Sequence, residues 1–270
     1  MGPMPLAVSR YQAEISNITI AKSLELRGNS SHTHVQALEE MAEVARIIVI
    51  SARGNVVRRV LIEAHRKGLT DGEYVFFCFE PYKHEDVFGN FDWEQGDAYD
   101  SVAKQAYQAL FLISLYKPSN DKYKEFNTKV KLRAKEDFGY LYSEEEEVSV
   151  LAAIAHDTVW LYAQALNDSL AENGDPYDGS YITRKMWNRT VTGIQGDVTM
   201  DSNGDRESAY MMKHVEGSGE FKVVANYSGT KKVYEAVRGV HIVWPGSQTT
   251  PPKDTPQCGF RGELCNTDKI

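Results

Sequence analysis

The sequence predicts an α/β protein with a parallel sheet flanked by helices, followed by a C-terminal part built from β-hairpins. Short apolar runs alternate with amphipathic helical stretches in the first 120 residues, a pattern typical of βαβ units and a parallel sheet. From residue 181 onward, short β segments separated by turns replace this alternation. With 270 residues and a hydrophobic content of 42%, the chain can bury one large core or two smaller ones.

The first part contains strands and helices in alternation. We predict strands over residues 17–26, 47–52, 73–80 and 111–117. We predict helices over residues 34–46, 55–67, 97–110, 121–136 and within 143–174. Gly68 is expected to end the second helix, and residues 81–96 lack a sustained period and are expected to form a loop. Ser143 and Glu146 have the spacing of a capping box, which places the glutamates 144–147 at the start of the long helix.

The second part contains predicted β segments at residues 191–200, 209–216, 221–229 and 231–239. Between the first two lies an acidic stretch that contains Asp201, Asp205 and Glu207 around Asn203 and Gly204. An EF-hand calcium loop that begins at Asp201 would place Arg206 and Met212 where Gly and the bidentate Glu are needed. The Asn-Gly pair instead predicts a type I′ hairpin turn, with calcium binding as the weaker alternative.

Charge and composition restrict the class of protein. A net charge of −8, without a cluster of basic residues among aromatics, predicts no nucleic-acid partner and no anionic membrane surface. No apolar run approaches the roughly 18 residues that a membrane span needs, and the first residues lack the apolar region of a signal peptide. Extracellular origin is nevertheless indicated by five N-glycosylation sequons. They lie at Asn17, Asn29, Asn167, Asn188 and Asn226.

The three cysteines have different environments. Cys258 and Cys265 enclose a short loop near the C-terminus, which suits a disulfide in an oxidising compartment. A zinc site is the poorer interpretation, because His241 is the only histidine within twenty residues of the pair. Cys78 lies in the apolar run VFFCFE and is expected to be buried and inert.

No set of residues predicts catalysis or a cofactor. The adjacent His156 and Asp157 resemble part of a metal-hydrolase site, but neighbouring helix residues point in different directions and no second cluster appears. His32 and His34 are expected in an exposed polar loop, and the turn at residues 50–55 could hold an anion, although its sequence signal is weak. Dinucleotide, P-loop and nucleophile-elbow motifs are missing, so we predict that the chain is not an enzyme. An intracellular doubly wound enzyme remains an alternative.

Several phrases occur in the order found in one receptor family. They are AHRKGLTDGEYVFF, the spaced residues from Trp93 to Leu110, HDTVWLYAQAL, MWNRTVTGIQGDVTMDSNGDRESAY, FKVVANYSGT, VWPG and PPKDTPQCGF. Together they resemble the extracellular ligand-binding domain of natriuretic peptide receptors and receptor guanylate cyclases, from about Asn17 to Cys265.

This resemblance implies a type I periplasmic-binding-protein fold, in which two α/β lobes are joined by crossing segments. It further implies that most of the first lobe lies outside this chain. Residues 1–255 would form the ligand-binding region, mainly the second lobe with a first-lobe helix near residues 147–168. Residues 256–270 would form a juxtamembrane tail that contains the Cys258–Cys265 disulfide loop.

The resemblance also implies a function. Such domains lie on the extracellular face of the plasma membrane and bind a peptide hormone as a homodimer, and the parent receptor signals through guanylate cyclase and cGMP. Leu26 aligns with an aromatic residue that inserts into the peptide ring, with Glu25 beside it. A soluble or clearance-type binding protein that does not signal is the alternative.

Overall fold

The computed structural model describes residues 18–26, 30–144 and 146–265. It contains seven helices, which we number α1 to α7: Ser31–Ala42, Gly54–Arg66, Glu85–Phe88, Asp100–Ala106, Asp121–Phe138, Val150–Ala171 and Gly179–Met186. It contains eight strands, β1 to β8: Ile47–Ile50, Val75–Phe79, Leu110–Leu115, Thr190–Thr192, Asp197–Thr199, Tyr210–Val215, Phe221–Ser228 and Val233–Ala236. Two short 3-10 helices span Tyr107–Ala109 and Pro245–Ser247. The counts of helices and strands refer to residues 18–26, 30–144 and 146–265.

Six strands form one mixed sheet in the order β1-β2-β3-β6-β7-β8. The pairs β1-β2 and β2-β3 are parallel, and every later pair is antiparallel, so the C-terminal hairpins extend a parallel sheet. This confirms the predicted α/β class with parallel strands, flanking helices and C-terminal hairpins. One face of the sheet packs against α1, α2 and the 3-10 helix at residues 107–109, and there it forms the largest core cluster.

A smaller unit lies outside this sheet. Helix α6 packs against α7, and Leu161 of α6 forms a second core with Val191 and Val198 of the two-stranded β4-β5 hairpin. Helix α5 contacts the same unit, because Lys122 donates to the carbonyl oxygen of Gly193 at 2.8 Å. The chain leaves the large sheet after β3 and returns to it in β6.

Helix α2 illustrates how the local sequence determines an element. Its apolar side chains at 57, 60, 61 and 64 are buried, as the helical period predicts. It ends in a Schellman motif in which Leu69 donates its backbone N–H to Ala64 and Gly68 donates to His65. Gly68 has the positive φ of 71° that this cap requires, so the predicted helix end is confirmed.

Several local predictions were wrong. Residues 18–26 form no strand, and residues 81–96 include the short helix α3. The run at 47–52 is shorter than predicted and only one face is buried, since Val49 is 73% exposed. The outer edge of β1 is unpaired among the described residues. The sheet face that carries Val49 is exposed at this strand as well.

His34 was also predicted incorrectly. It lies in helix α1 and is buried, whereas His32 is exposed as expected. Neither ring nitrogen of His34 has a hydrogen-bond partner in the described part of the chain. Burial, with a contribution from Arg59 and against the effect of Glu63, lowers the pKa of His34. Burial therefore favours the neutral ring.

The start of α6 also differs from the capping-box prediction. The helix begins at Val150, and Ser149 is its N-cap residue, whose hydroxyl accepts from the backbone of Leu151 at 3.3 Å. Ser143 does donate its backbone N–H to the Glu146 carboxylate, but this contact belongs to a turn before the helix. Glu146 also accepts from the Tyr140 hydroxyl at 2.5 Å, so its carboxylate ties this turn to the end of α5.

Candidate functional site

The carboxyl ends of the three parallel strands form the strongest candidate region. Strands β1, β2 and β3 end at Ile50, Phe79 and Leu115, and we call this border of the sheet the carboxyl edge. In open α/β sheets, ligands bind outside the carboxyl ends of the strands. Lys117, just after β3, forms an ion pair with Glu147 ahead of α6. The smaller unit therefore begins next to this edge.

Glu80 and Lys213 are the most unusual charged residues at the carboxyl edge. Glu80 directly follows β2 and is only 7% exposed, without a side-chain hydrogen bond or ion pair among the described residues. Burial raises the pKa of Glu80, while Lys213 and Lys83 oppose this effect. Burial likewise lowers the pKa of Lys213, and Glu80 opposes it. The pair presents a buried acceptor and a partly buried donor.

The sheet register places these two residues on one face. Lys213 is in register with Leu112, which is in register with Cys78. Side chains in one register row share a face, and so do residues two positions apart along a strand. Glu80 therefore points to the same face as Lys213. A bound polar group in this position could interact with both.

A loop after β2 covers the turn between β1 and α2. The guanidinium of Arg53 donates to the carbonyl oxygens of Glu85 at 3.3 Å and Asp86 at 3.1 Å. Gly54 is buried beneath the loop, and a Cβ there would lie 2.3 Å from the carbonyl oxygen of Asn90. The turn that was considered as an anion site is thus packed against the protein's own backbone.

The spaced motif that begins at Trp93 has a structural role. The buried guanidinium of Arg58 donates to both carboxylate oxygens of Asp97 at 2.9 and 2.7 Å, to Asp100 at 2.7 Å and to the Trp93 carbonyl oxygen at 2.8 Å. The hydrogen bond from Arg58 lowers the pKa of Asp97. The Trp93 indole donates to Gly219 at 2.6 Å. The motif thereby fixes the loop between α2 and the β6-β7 turn.

The predicted ligand-binding residues lie in the segment that precedes α1. Because α1 leads into the start of β1, its own first residue lies towards the carboxyl edge, and Ser31 shares a surface groove with Asn55 in the first turn of α2. Leu26 is partly buried and packs against the main core, whereas Glu25 is exposed. Lys22 of the same segment forms an ion pair at 2.8 Å with Glu40 near the end of α1, so the described contacts of this segment do not place either residue at the carboxyl edge.

The His156–Asp157 pair organises a hairpin. Asp157 is 1% exposed, and its two oxygens accept the backbone N–H groups of Ile194 at 2.7 Å and Gln195 at 2.9 Å. His156 Nδ1 lies 3.0 Å from Asp157 and its ring is partly exposed. Asp157 therefore holds the turn between β4 and β5 against α6.

The acidic stretch at residues 200–208 forms a turn of another kind than predicted. The Asp201 carboxylate accepts the backbone N–H groups of Asn203 and Asp205, both at 2.8 Å. Those backbone hydrogen bonds, with Asp205 contributing most, lower the pKa of Asp201. Only Gly204 has a positive φ, so the turn is not type I′. It does close a short hairpin, because Met200 and Arg206 form an antiparallel bridge and Glu207 donates its backbone N–H to Thr199, whereas β5 and β6 pair with other strands. Within the described residues, no group of three or more His, Cys, Asp or Glu side chains could hold a metal ion.

The remaining predicted residues are mostly at the surface. Cys258 and Cys265 form the predicted disulfide, and Cys78 is a buried free thiol. Asn167 and Asn188 are exposed, and Asn226 in β7 is half-buried. Asn17 and Asn29 lie outside the described residues.

Sequence reasoning missed Glu80 and Lys213 as candidate site residues. A weak signal existed in both cases. Glu80 ends the apolar run VFFCFE, and Lys213 interrupts the β segment YMMKHV. A charge inside or directly after a predicted buried strand could have been noted, but only the register shows that the two share a face.

The family model described as "Receptor family ligand binding region" matches residues 4–218. The chain belongs to this family. Its members' domain is a ligand-binding region and not a catalytic one, and the expected type I periplasmic-binding-protein-like fold agrees with the α/β sheet described above.

Curated relatives support the same assignment. The chain is 34% identical over 246 residues to "Receptor-type guanylate cyclase gcy-28" of Caenorhabditis elegans, covering 86% of this chain and 18% of the relative. It is 32% identical over 202 residues to "Atrial natriuretic peptide receptor 3" of Mus musculus, covering 74% of this chain and 37% of the relative. It is also 32% identical over 255 residues to "Atrial natriuretic peptide receptor 2" of Rattus norvegicus, covering 87% of this chain and 23% of the relative.

The chain therefore spans well under half the length of these relatives. It corresponds to a receptor ligand-binding region. In the part of the chain that the structure describes, no helix is long and apolar enough to span a membrane.

Proposed function

We propose that this chain forms part of the extracellular surface with which a receptor binds a natriuretic-type peptide hormone. The family match carries the proposal, because two of the similar proteins are named for this class of hormone. The described geometry supports it in one respect. Leu26 is only partly buried against the main core and Glu25 beside it is exposed, so this segment is accessible to a ligand.

Within this proposal, Leu26 supplies apolar contact area to the peptide ring. It does so without the ring face that an aromatic residue would offer. Glu25 supplies a negative charge at the rim, where charge mainly governs the rate and selectivity of association. Glu80 offers a desolvated acceptor to a basic or amide group of the peptide.

The domain boundaries follow from the same proposal. Residues 1–255 are the ligand-binding region, and residues 256–270 with the Cys258–Cys265 loop are the juxtamembrane tail. Helix α6 packs in a core separate from that of the large sheet, which supports the assignment of a helix near residues 147–168 to the first lobe. In the complete receptor we expect an extracellular homodimer that signals through guanylate cyclase and cGMP.

Titration calorimetry of the secreted, glycosylated chain with ring-type natriuretic peptides tests the binding proposal. We expect saturable heat in the wild type and an affinity about tenfold lower, or roughly 1.4 kcal/mol, for Glu25→Lys. Glu136→Lys makes the same charge change at an exposed position on α5 and is the matched control. No binding by a folded wild-type chain, or equal losses in both variants, contradicts the proposal.

A separate assay tests signalling. Cells that express the complete receptor should raise cGMP when the peptide is added, and the rise should be smaller with Glu25→Lys at subsaturating peptide. Binding without any cGMP response would instead support the non-signalling alternative.

A further inference from the structure

One part of the large sheet lacks a full covering layer. On the face that packs against α2, the core takes only Val215 and Phe221 from β6 and β7 among the described residues, and none from β8. Positions 211 and 213 point to the same face as Val215, because they precede it by four and two residues along β6. We define the open patch as the residues of this face that remain half-buried or exposed towards the carboxyl edge: Met211, Lys213, Val223, Asn226 and Glu235.

The strand register places Asn226 in the middle of the open patch. Met211 of β6 pairs with Asn226 of β7, and Asn226 pairs with Glu235 of β8. Lys213 pairs with Val223 in the neighbouring row. Paired residues share a face of the sheet, and adjacent strands lie about 4.8 Å apart. A group attached to Asn226 therefore has Met211 on one side and Glu235 on the other.

The side chain of Asn226 can carry such a group. Together with Tyr227 and Ser228 it forms an N-glycosylation sequon. Its amide makes no hydrogen bond among the described residues, although the residue is half-buried in the sheet. Amide groups that are removed from water are normally hydrogen-bonded within the protein. The Nδ2 atom of Asn226 has no such role and is available for modification.

We propose that an N-linked glycan on Asn226 covers the open patch. The C–H faces of its first sugar rings suit the apolar side chains of Met211 and Val223. Their hydroxyl groups can accept a hydrogen bond from Lys213 and donate one to Glu235. Because the glycan is covalently attached at the centre of the patch, these contacts are intramolecular and form even where each one is weak.

The attachment is a transfer of an oligosaccharide to an amide nitrogen. The Nδ2 atom of Asn226 forms a bond to C1 of the N-acetylglucosamine of a lipid-linked oligosaccharide diphosphate, the donor in secreted proteins. The bond between C1 and the diphosphate oxygen breaks, the lipid diphosphate leaves with the electron pair, and Nδ2 loses one proton. The modified amide is neutral, so the patch gains bulk and hydroxyl groups and keeps its charge.

The glycan also affects the candidate region at the carboxyl edge. Lys213 belongs to the open patch and shares its face with Glu80. A glycan that lies on Lys213 must move aside before a ligand can reach this lysine. Occupancy of Asn226 therefore lowers the apparent affinity for a ligand that uses Lys213. This effect on ligand access rests on the proposed function, whereas the cover itself does not.

Amine acylation of the folded, secreted chain tests the cover, with mass spectrometry as the readout. Ser228→Ala removes the sequon and keeps Asn226, and it should speed acylation of Lys213 about fivefold, the order expected where one hydrogen bond keeps the patch covered. Lys222 lies on the opposite face of β7 and is the internal reference. Asn167→Gln removes an exposed sequon on α6 and should leave the rate at Lys213 unchanged. A wild-type chain without a glycan on Asn226, or an unchanged rate in Ser228→Ala, overturns the proposal.

A contact measurement on the wild type removes the dependence on the variant's folding. Nuclear Overhauser effects should connect the methyl group of Met211 with protons of the first two sugars. Their absence in the folded, glycosylated protein would refute the cover even if Ser228→Ala is not secreted.

The effect on ligand access has a separate test. Acylation and NMR use no peptide, so their results do not depend on the proposed function. In titrations with ring-type natriuretic peptides, Ser228→Ala should bind about fivefold more tightly than the wild type, because the fraction of uncovered sites sets the apparent affinity. Equal affinities refute the effect on access, and no binding by either folded protein contradicts the proposed function.

Discussion

Replacing Asp157 with Asn should release the β4-β5 hairpin from α6. Each Asp157 oxygen accepts one backbone N–H, from Ile194 at 2.7 Å and Gln195 at 2.9 Å, at a site that is 1% exposed. An asparagine keeps one acceptor oxygen, and its amide group faces the second N–H. The loss of one charge-assisted hydrogen bond, together with a buried donor left unsatisfied, should cost about 2–4 kcal/mol.

Urea denaturation and hydrogen exchange together measure this effect. The free energy of unfolding should fall by the stated amount, and the amides of Ile194 and Gln195 should lose protection before those of the large sheet. His156→Asn is the matched control, because His156 is 47% exposed and should contribute less than about 1 kcal/mol. A wild-type urea midpoint for Asp157→Asn, with both amides still protected, would show that the buried carboxylate does not hold the hairpin.

Three further changes have expected outcomes. Arg58→Lys removes the two-pronged contact, so the pKa of Asp97 should rise towards its usual value, as carboxyl NMR would show. The pKa of Glu80 is raised in the folded state, so its ionisation costs stability above the unfolded pKa near 4.5. Glu80→Gln should therefore stabilise the protein at neutral pH and lose this advantage below pH 4.5. Urea titrations at several pH values test this expectation. Trp160→Glu should reduce the binding of a hydrophobic dye and improve gel-filtration behaviour, whereas Tyr177→Glu, at an isolated and more exposed aromatic, should change little.

The sequence predicted those elements whose signals are local. Helix α2 combines an apolar period with a glycine at the position where the Schellman motif needs positive φ, so both its face and its end were found. Helix α5 likewise has Asn120 as an N-cap residue whose side chain accepts from Tyr123, and Gly139 in the left-handed conformation after its last residue. Such signals lie within a few residues of the structure that they specify.

Predictions that required distant partners were less successful. The Asn203–Gly204 pair correctly indicated a hairpin, which the Met200–Arg206 bridge closes. The turn type was wrong because Asp201 captures two backbone N–H groups, and β6 pairs with the distant strands β3 and β7. His34 was assigned to a polar loop because its neighbours in sequence are polar, while its burial is caused by α2. The role of Asp157 depends on a turn nearly forty residues further along the chain.

The exposed side of α6 carries both the apolar residue Trp160 and the predicted glycosylation site Asn167. Trp160, Ala163 and Asn167 are exposed at positions i, i+3 and i+7, so they lie along one stripe of the helix. An apolar stripe of this kind suits burial against the rest of a receptor, whereas a glycan on Asn167 would require that end of the stripe to face solvent. Both can hold only if the covering surface stops before Asn167. Occupancy of this one sequon in the complete receptor therefore decides how far along α6 the neighbouring lobe can reach.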